Sequence, residues 1–313
     1  MSGLIRASDL AHKRAAWLRH DPDPSRASGL SGLARLSRRA RALARRPMLL
    51  TAWLLLTVLI GCALFAPWLA PYQRDAIDLS STLGAPSAQH WFGADQLGRD
   101  VLTRVIWGAR SSLSLAALAV ICGGTVGCGL GIFAGYRRGW PDALVMRICD
   151  MQYSLPSVII AMVATVALGS GTVNLVFALV LATWPRFARV LRAETLSLRS
   201  RDFVLLAELS GASVWRVMWR HLLPNLLGTI IVLATLDVGL VIMLEATLSF
   251  LGIGIQPPTP AWGGMIADGR GYLDQAWWLS FFPGGALLLT VLAVNTAGDA
   301  LLLRFTGQTR APR

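Results

Sequence analysis

Lysine is nearly missing from this chain. Lys13 is the only one among 313 residues, and it follows His12 rather than a glycine-rich loop. A Walker A phosphate cradle needs the run G-K-[ST], in which the lysine and neighbouring backbone N–H groups hold the phosphates. The polypeptide holds no such cradle, so any ATP-driven work must draw on hydrolysis elsewhere. Charge of either sign is also scarce: Asp, Glu, Lys and Arg make up 15% of the residues, against 54% hydrophobic. A soluble domain carries about 25% charged residues. This composition is that of an integral membrane protein.

Cysteine and histidine are equally sparse, four of each. Cys62, Cys122 and Cys128 lie inside apolar runs and Cys149 at the edge of one. None has a histidine at metal-ligand spacing, so they read as small buried hydrophobes with no metal site and no disulfide. His221 is the only histidine near an apolar run, and it has neither a paired nucleophile nor a ligand set. An intramembrane enzyme is thereby disfavoured.

What the chain has is long oily stretches. A helix crosses the hydrocarbon layer with about 20 mostly apolar residues. Six stretches qualify: Leu49–Leu69, Leu113–Ala134, Met151–Leu168, Thr172–Leu191, Leu226–Leu251 and Trp277–Ala297. The fourth is the least clear, because Pro185, Arg186 and Arg189 enter its last turns, where the arginines can snorkel to the interface. The "GSG" at 169–171 suits a hairpin between the third and fourth. The expected fold class is an all-α integral membrane protein with six transmembrane helices. The start of the chain shows no apolar core of signal-peptide length, so the first run is expected to remain as an anchor.

The net charge of +12 has a topological origin. Residues 1–47 carry eleven basic and three acidic side chains, ending in "RRARALARRP". Together with the 135–150 loop, the 186–225 segment and the C-terminal end, one side collects twenty-four Lys and Arg; the 70–112 and 252–276 loops collect five. Positive charge marks the cytoplasmic face. Both termini are therefore expected in the cytoplasm, and no nucleic-acid partner is needed to explain the charge; the partner it implies is the lipid bilayer.

Within the second span, Gly123, Gly127, Gly131 and Gly135 recur every four residues. That spacing forms a smooth stripe for close helix packing. Asp237 and Glu245 are ionisable residues well inside the fifth span, about 80° apart around the helix. A charge there costs about 2.5–3.5 kcal/mol on insertion scales, so each must face protein or a water-filled cavity. Two readings stand: they line a path and attract a cationic group, or they pair with an arginine. Trp91, Trp262 and Trp277 read as interfacial belt anchors, and Asp95, Arg99 and Asp100 as a loop held by local ion pairs.

The segment "AELSGASVWRVMWRHLLPN" (207–225) is unusual between two spans. A short apolar helix is expected to end near Ser210–Gly211. Ser213 can then cap a second piece, and Pro224 is expected to stop it before the fifth span. By itself this second piece reads as an amphipathic helix on the membrane surface. Ala207, Gly211 and Ala212 leave a surface that another protein can approach closely.

The segment resembles the cytoplasmic "EAA" loop of ABC importer permeases: Ala207, Gly211 and Leu223–Pro224 fall at the family's spacing. Leu205 and Leu206 replace its glutamate and first alanine, and His221 its hydrophobe; Glu208 is the nearby acid. "HWFGADQLGRDVLTRVIWGARSSL" (90–113) and "EATLSFLGIGIQPPTPAWGGMIADGR" (245–270) resemble signatures of the dipeptide/oligopeptide/nickel permeases, nearest to the C-type member of the pair. The tail "GDALLLRFTG" follows the family only through Gly–Asp.

The resemblance implies a type I ABC importer permease fold. It divides the chain into a basic tail (1–48), a first helix with its outer loop (49–112), a permease core (113–303) with a coupling loop at 192–225, and a cytoplasmic tail (304–313). It implies a non-catalytic subunit of the cytoplasmic (inner) membrane that moves dipeptides, oligopeptides or a related solute, with nickel as an alternative. The implied partners are a second homologous permease, two ABC ATPases and an extracytoplasmic solute-binding protein. No cofactor is implied for this chain; ATP and Mg belong to the ATPases. Ala207, Glu208, Gly211, Ala212, Leu223 and Pro224 would couple to an ATPase, and Asp237 and Glu245 would serve the path or gate. The rival is an ion-coupled secondary transporter, which the two buried acids could serve, but no internal repeat supports it.

Overall fold

The computed structural model describes residues 47–305. The basic N-terminal tail and the end of the C-terminal tail lie outside them. The chain divides into two compact units, 1–50 and 51–313, and the architecture below is that of the second. Regular structure among the described residues is helical throughout. The helices are α1 (Pro47–Leu64), α2 (Val101–Arg137), α3 (Trp140–Tyr153), α4 (Ser157–Leu168), α5 (Thr172–Arg199), α6 (Asp202–Leu209), α7 (Val214–Phe250), α8 (Trp262–Gly269) and α9 (Trp278–Phe305).

The described residues bear out an all-helical membrane bundle but do not reproduce the count of six spans in full. Four helices, α2, α5, α7 and α9, are long and apolar enough to cross a membrane, and α3 with α4 makes a fifth only as a pair bent by 94°. The expected third span, Met151–Leu168, breaks because the ring of Pro156 disfavours helical geometry at Leu155; α4 starts only at Ser157. The expected first span is also interrupted. Its apolar helix ends at Leu64, and a single turn, Ala66–Leu69, follows. Pro67 has no N–H to offer the Ala63 carbonyl, and its ring would crowd that oxygen.

Two helices overrun their expected limits. At about 1.5 Å per residue, the 37 residues of α2 extend roughly 55 Å, well beyond the hydrocarbon layer. α5 passes through Pro185 and continues to Arg199. The hairpin between α4 and α5 turns on Gly169 (φ +82°) and Gly171 (φ +150°), while the Asn174 amide donates to the Leu168 carbonyl at 2.8 Å.

The seam between α2 and α5 organises the bundle. All four glycines of the stripe lie on it. A Cβ on Gly123 would stand 2.7 Å from Thr183 Oγ1, and one on Gly135 2.8 Å from the Arg192 carbonyl. At Gly127 and Gly131 it would overlap the Trp184 and Ala188 carbonyls. Backbones so close maximise dispersion contact, which in lipid replaces the missing hydrophobic drive for helix association. Phe187, Leu191, Leu226 and Ile242 complete the buried core around this seam.

The end where α2 begins is closed by a structured cap. Asp95 and Arg99 are buried and meet at 2.7 Å, with Arg104 3.6 Å from the same carboxylate. Asp100 caps α2 by accepting from the Thr103 N–H at 2.7 Å. Phe92 stacks on Phe282 at 3.9 Å between ring centres. Trp262 is not an interfacial anchor: it is fully buried and donates to the Val105 carbonyl at 3.1 Å. Trp91 and Trp277 are exposed.

Candidate functional site

The far end of α2 meets the short helix α6. A Schellman turn ends α6: the Ala212 N–H reaches the Ala207 carbonyl at 3.1 Å, and the Gly211 N–H the Glu208 carbonyl at 3.0 Å. Gly211 has φ +76°, a left-handed conformation that other residues adopt at a cost, and open space surrounds the position of a Cβ. Ser213 then caps α7, accepting from the Arg216 N–H at 3.4 Å.

The faces of this connector are sorted. Val204 is fully buried, and Ala207, Ala212 and Leu223 pack on the core. Leu206 and Leu209 turn outward, 62% and 85% exposed, with Leu205 also exposed. The sequence marks these leucines as part of a short apolar helix but not as its outward face. Helical spacing carries the signal, since positions 205, 206 and 209 fall about 100–200° around the helix from Val204. Glu208 stands beside the Tyr136 phenol at the end of α2, and the Arg199 guanidinium lies 5.4 Å from the centre of the Tyr136 ring. Connector, α2 and α5 thus meet at one point.

Pro224 is exposed but does not stop a helix. α7 runs unbroken from Val214 to Phe250, in line with the fifth span rather than lying on the membrane surface. One wide turn, Met218–Leu222, makes the passage possible: the Leu223 N–H bonds the Met218 carbonyl five residues back. The proline that follows then replaces an N–H that the widened turn has no need of.

α5 carries three arginines at three-residue spacing, each with an aspartate. Arg186 reaches Asp237 of α7 at 2.6 Å, Arg189 reaches Asp150 of α3 at 2.6 Å, and Arg192 reaches Asp142 of α3 at 2.5 Å. They tie α5 to its neighbours. The Arg186–Asp237 contact is ionic without hydrogen-bond angles, so neither Asp237 oxygen has a hydrogen-bond partner among the described residues.

Glu245 is held differently. It is fully buried, accepting from the Ser249 hydroxyl at 2.7 Å and the Ser112 hydroxyl of α2 at 3.1 Å. Ser249 accepts in turn from the Ile255 N–H at 3.1 Å, so the cluster joins α2, α7 and the loop after α7. Asp237 and Glu245 are not brought together, and both are buried, 1% and 0% exposed. Between α4, α5, α7 and α9 there is instead a recess of about 470 Å³, lined by apolar side chains with Arg186, Thr247 and Asn295. Among the described residues no cluster of His, Cys, Asp and Glu could hold a metal ion.

Comparison with known proteins decides what such a bundle is. A family model described as "Binding-protein-dependent transport system inner membrane component" matches residues 127–308. The chain belongs to that family. A second model, the N-terminal TM domain of oligopeptide transport permease C, matches residues 35–86. Among curated proteins, the permease is 42% identical over 262 residues to the glutathione transport system permease protein GsiD of Escherichia coli O6:K15:H31 (strain 536 / UPEC), covering 83% of this chain and 86% of that one. It has the same identity and coverage with the GsiD of Shigella boydii serotype 4 (strain Sb227).

Membership settles the choice between an ABC importer permease and an ion-coupled transporter in favour of the first, and it places the chain in a membrane as an integral subunit. Permeases of this class depend on ATPase and solute-binding partners. The connector and the recess are therefore features of a permease of type I fold.

Proposed function

We propose that this permease pairs with a second, homologous permease to form one path for short peptides or peptide-like solutes, and that two ATPases drive it by gripping α6. The observation that carries the reading is the exposed apolar edge of α6, Leu205, Leu206 and Leu209, presented on a glycine turn directly after the long helix α5. An apolar edge of this kind is what a partner's cleft buries. Ala207, Glu208, Gly211 and Ala212 form the bend that lets the edge enter, while Leu223 and Pro224 root it in α7. In this reading α6 and both termini are cytoplasmic, as the arginine distribution favours, and the cap around residues 90–100 faces the binding protein.

The chain itself carries out no chemistry and binds no cofactor; ATP and Mg act in the ATPases. Closure of the ATPases would move α6, and α5 with it, and so exchange outward for inward access. A glutathione system among the relatives favours a peptide-like solute over nickel.

Gly211→Trp tests the coupling. The position opens to solvent and touches no core atom, so membrane insertion should survive. In the complete complex, ATP hydrolysis should continue while uptake falls by about tenfold or more, a loss near 1.4 kcal/mol of coupling. Uptake at the normal rate would overturn the docking assignment.

A further inference from the structure

We infer that the recess between α4, α5, α7 and α9 receives the free carboxylate of the transported solute, with Arg186 as its principal donor and Asn295 as a second. The inference rests on the peptide-import reading and adds to it the groups that touch the solute.

Arg186 is the cationic group lining the recess, and its side chain is 39% exposed. One terminal nitrogen faces Asp237, and among the described residues no hydrogen bond uses any of its N–H groups. A guanidinium has five donors arranged to grip a planar carboxylate through two parallel bonds. At membrane depth unused donors are costly, so a site of this kind is built to be filled by an acceptor. The Asn295 amide lines the same recess from α9. Gly239 admits it: a Cβ there would stand 2.7 Å from Asn295 Oδ1. The rest of the wall, with Val158, Leu240 and Met243, is apolar and suits the side chains or methylenes of a small peptide. A volume of about 470 Å³ falls in the range of small-molecule sites.

Asp237 gives the site its reversibility. Itself 1% exposed, it keeps Arg186 neutralised when the recess is empty, so no bare cation is left in the membrane. An arriving carboxylate then shares the guanidinium with Asp237 and competes with it. The solute is thus oriented and yet readily released, as a translocation site requires. Because Arg186 stands on α5, which continues to the connector, movement of α6 and presentation of the carboxylate donor are mechanically one event.

The test uses the complete complex in proteoliposomes: this permease with its partner permease, ATPases and binding protein. The solutes are labelled trialanine, trialanine amide and glutathione. The double variant R186Q/D237N removes both charges together and leaves no unpaired buried ion. Its uptake of trialanine and glutathione should fall about tenfold, as expected when a charge-assisted pair of hydrogen bonds is lost, with binding-protein-stimulated ATP hydrolysis preserved. Trialanine amide should move poorly through the wild type and no worse through the variant. Asn295→Asp sets a second anion against the carboxylate and should slow the free acids by a similar factor; it serves as the deciding variant if R186Q/D237N does not assemble. Wild-type uptake by either variant that assembles overturns the site while leaving peptide import standing. Absence of uptake of all three solutes by the wild type overturns peptide import, and the site with it.

Discussion

Arg186 Nη1 lies 2.6 Å from Asp237 Oδ1, joining residues 51 positions apart on α5 and α7. The two ends of the pair are unequal: Asp237 is enclosed, while Arg186 borders the recess. Removing Arg186 alone strands a buried carboxylate, which costs about 3–5 kcal/mol. Arg186→Gln should therefore lower the thermal midpoint of the detergent-purified protein more than Asp237→Asn does, and R186Q/D237N should recover most of the loss. Equal losses in the two single variants would show that the pair does not set the stability of this junction.

Glu245 holds two buried hydroxyls that have few other uses. Glu245→Leu leaves Ser112, fully buried, without an acceptor, at a cost of about 1–3 kcal/mol. Glu245→Gln keeps a carbonyl oxygen and an amide for the same hydroxyls and should be close to neutral. Thermal unfolding of the two variants in nanodiscs checks the contrast.

The glycine seam predicts a sharp positional difference along α2. A methyl on Gly127 stands 2.6 Å from the Phe187 Cβ and overlaps the Trp184 carbonyl, whereas a methyl on Gly129 meets nothing within 4 Å. Gly127→Ala should destabilise by about 1–3 kcal/mol through overpacking. Gly129→Ala should be neutral or slightly stabilising, because alanine is the better helix former. Folded yield and melting temperature report both.

Asp78 supplies a pH signature in the loop before α2. Its carboxylate accepts from the Ser80 hydroxyl at 2.5 Å and the Ser81 hydroxyl at 2.8 Å, which holds it below its ordinary 3.8. A lowered carboxyl stabilises the folded loop above its ordinary pKa, and that contribution is lost as pH falls through the folded value. Hydrogen exchange across residues 78–83 should show protection at about pH 6 that weakens towards about pH 3. Asp78→Ala should flatten this dependence; an unchanged profile in that variant would assign the protection to other groups.

Much of this molecule was legible beforehand where the signal is local. Ser213 as a cap, the glycine turn at 211, the hairpin at 169–171 and the four-residue glycine period are short-range patterns, and each has a definite geometry. What escaped was decided by distant partners. An arginine partner for Asp237 is one of two readings, but nothing near Arg186 in sequence singles it out, and Trp262 looks like any tryptophan of an outer loop until Val105 and α2 surround it. The 94° break at Pro156 and the passage of α7 through Pro224 show why proline is hard to read: the same residue ends one helix and is absorbed by a widened turn in another. The outward leucines of α6 were visible as apolar residues, but which side of so short a helix the core would claim depends on where α2 and α5 come to rest.

The glycine seam removes the α2 side chain at four successive contacts, so the α2 backbone lies directly against α5, with Thr183, Phe187 and Thr195 among its nearest neighbours. Helices packed this closely have little room to slide past one another. In the coupling proposed above, displacement of the connector would pass along the paired helices towards Val101, roughly 55 Å along α2, and the buried ionic cap built on Asp95 and Asp100. A few methyl groups' worth of missing volume would in that way link the two ends of the bundle.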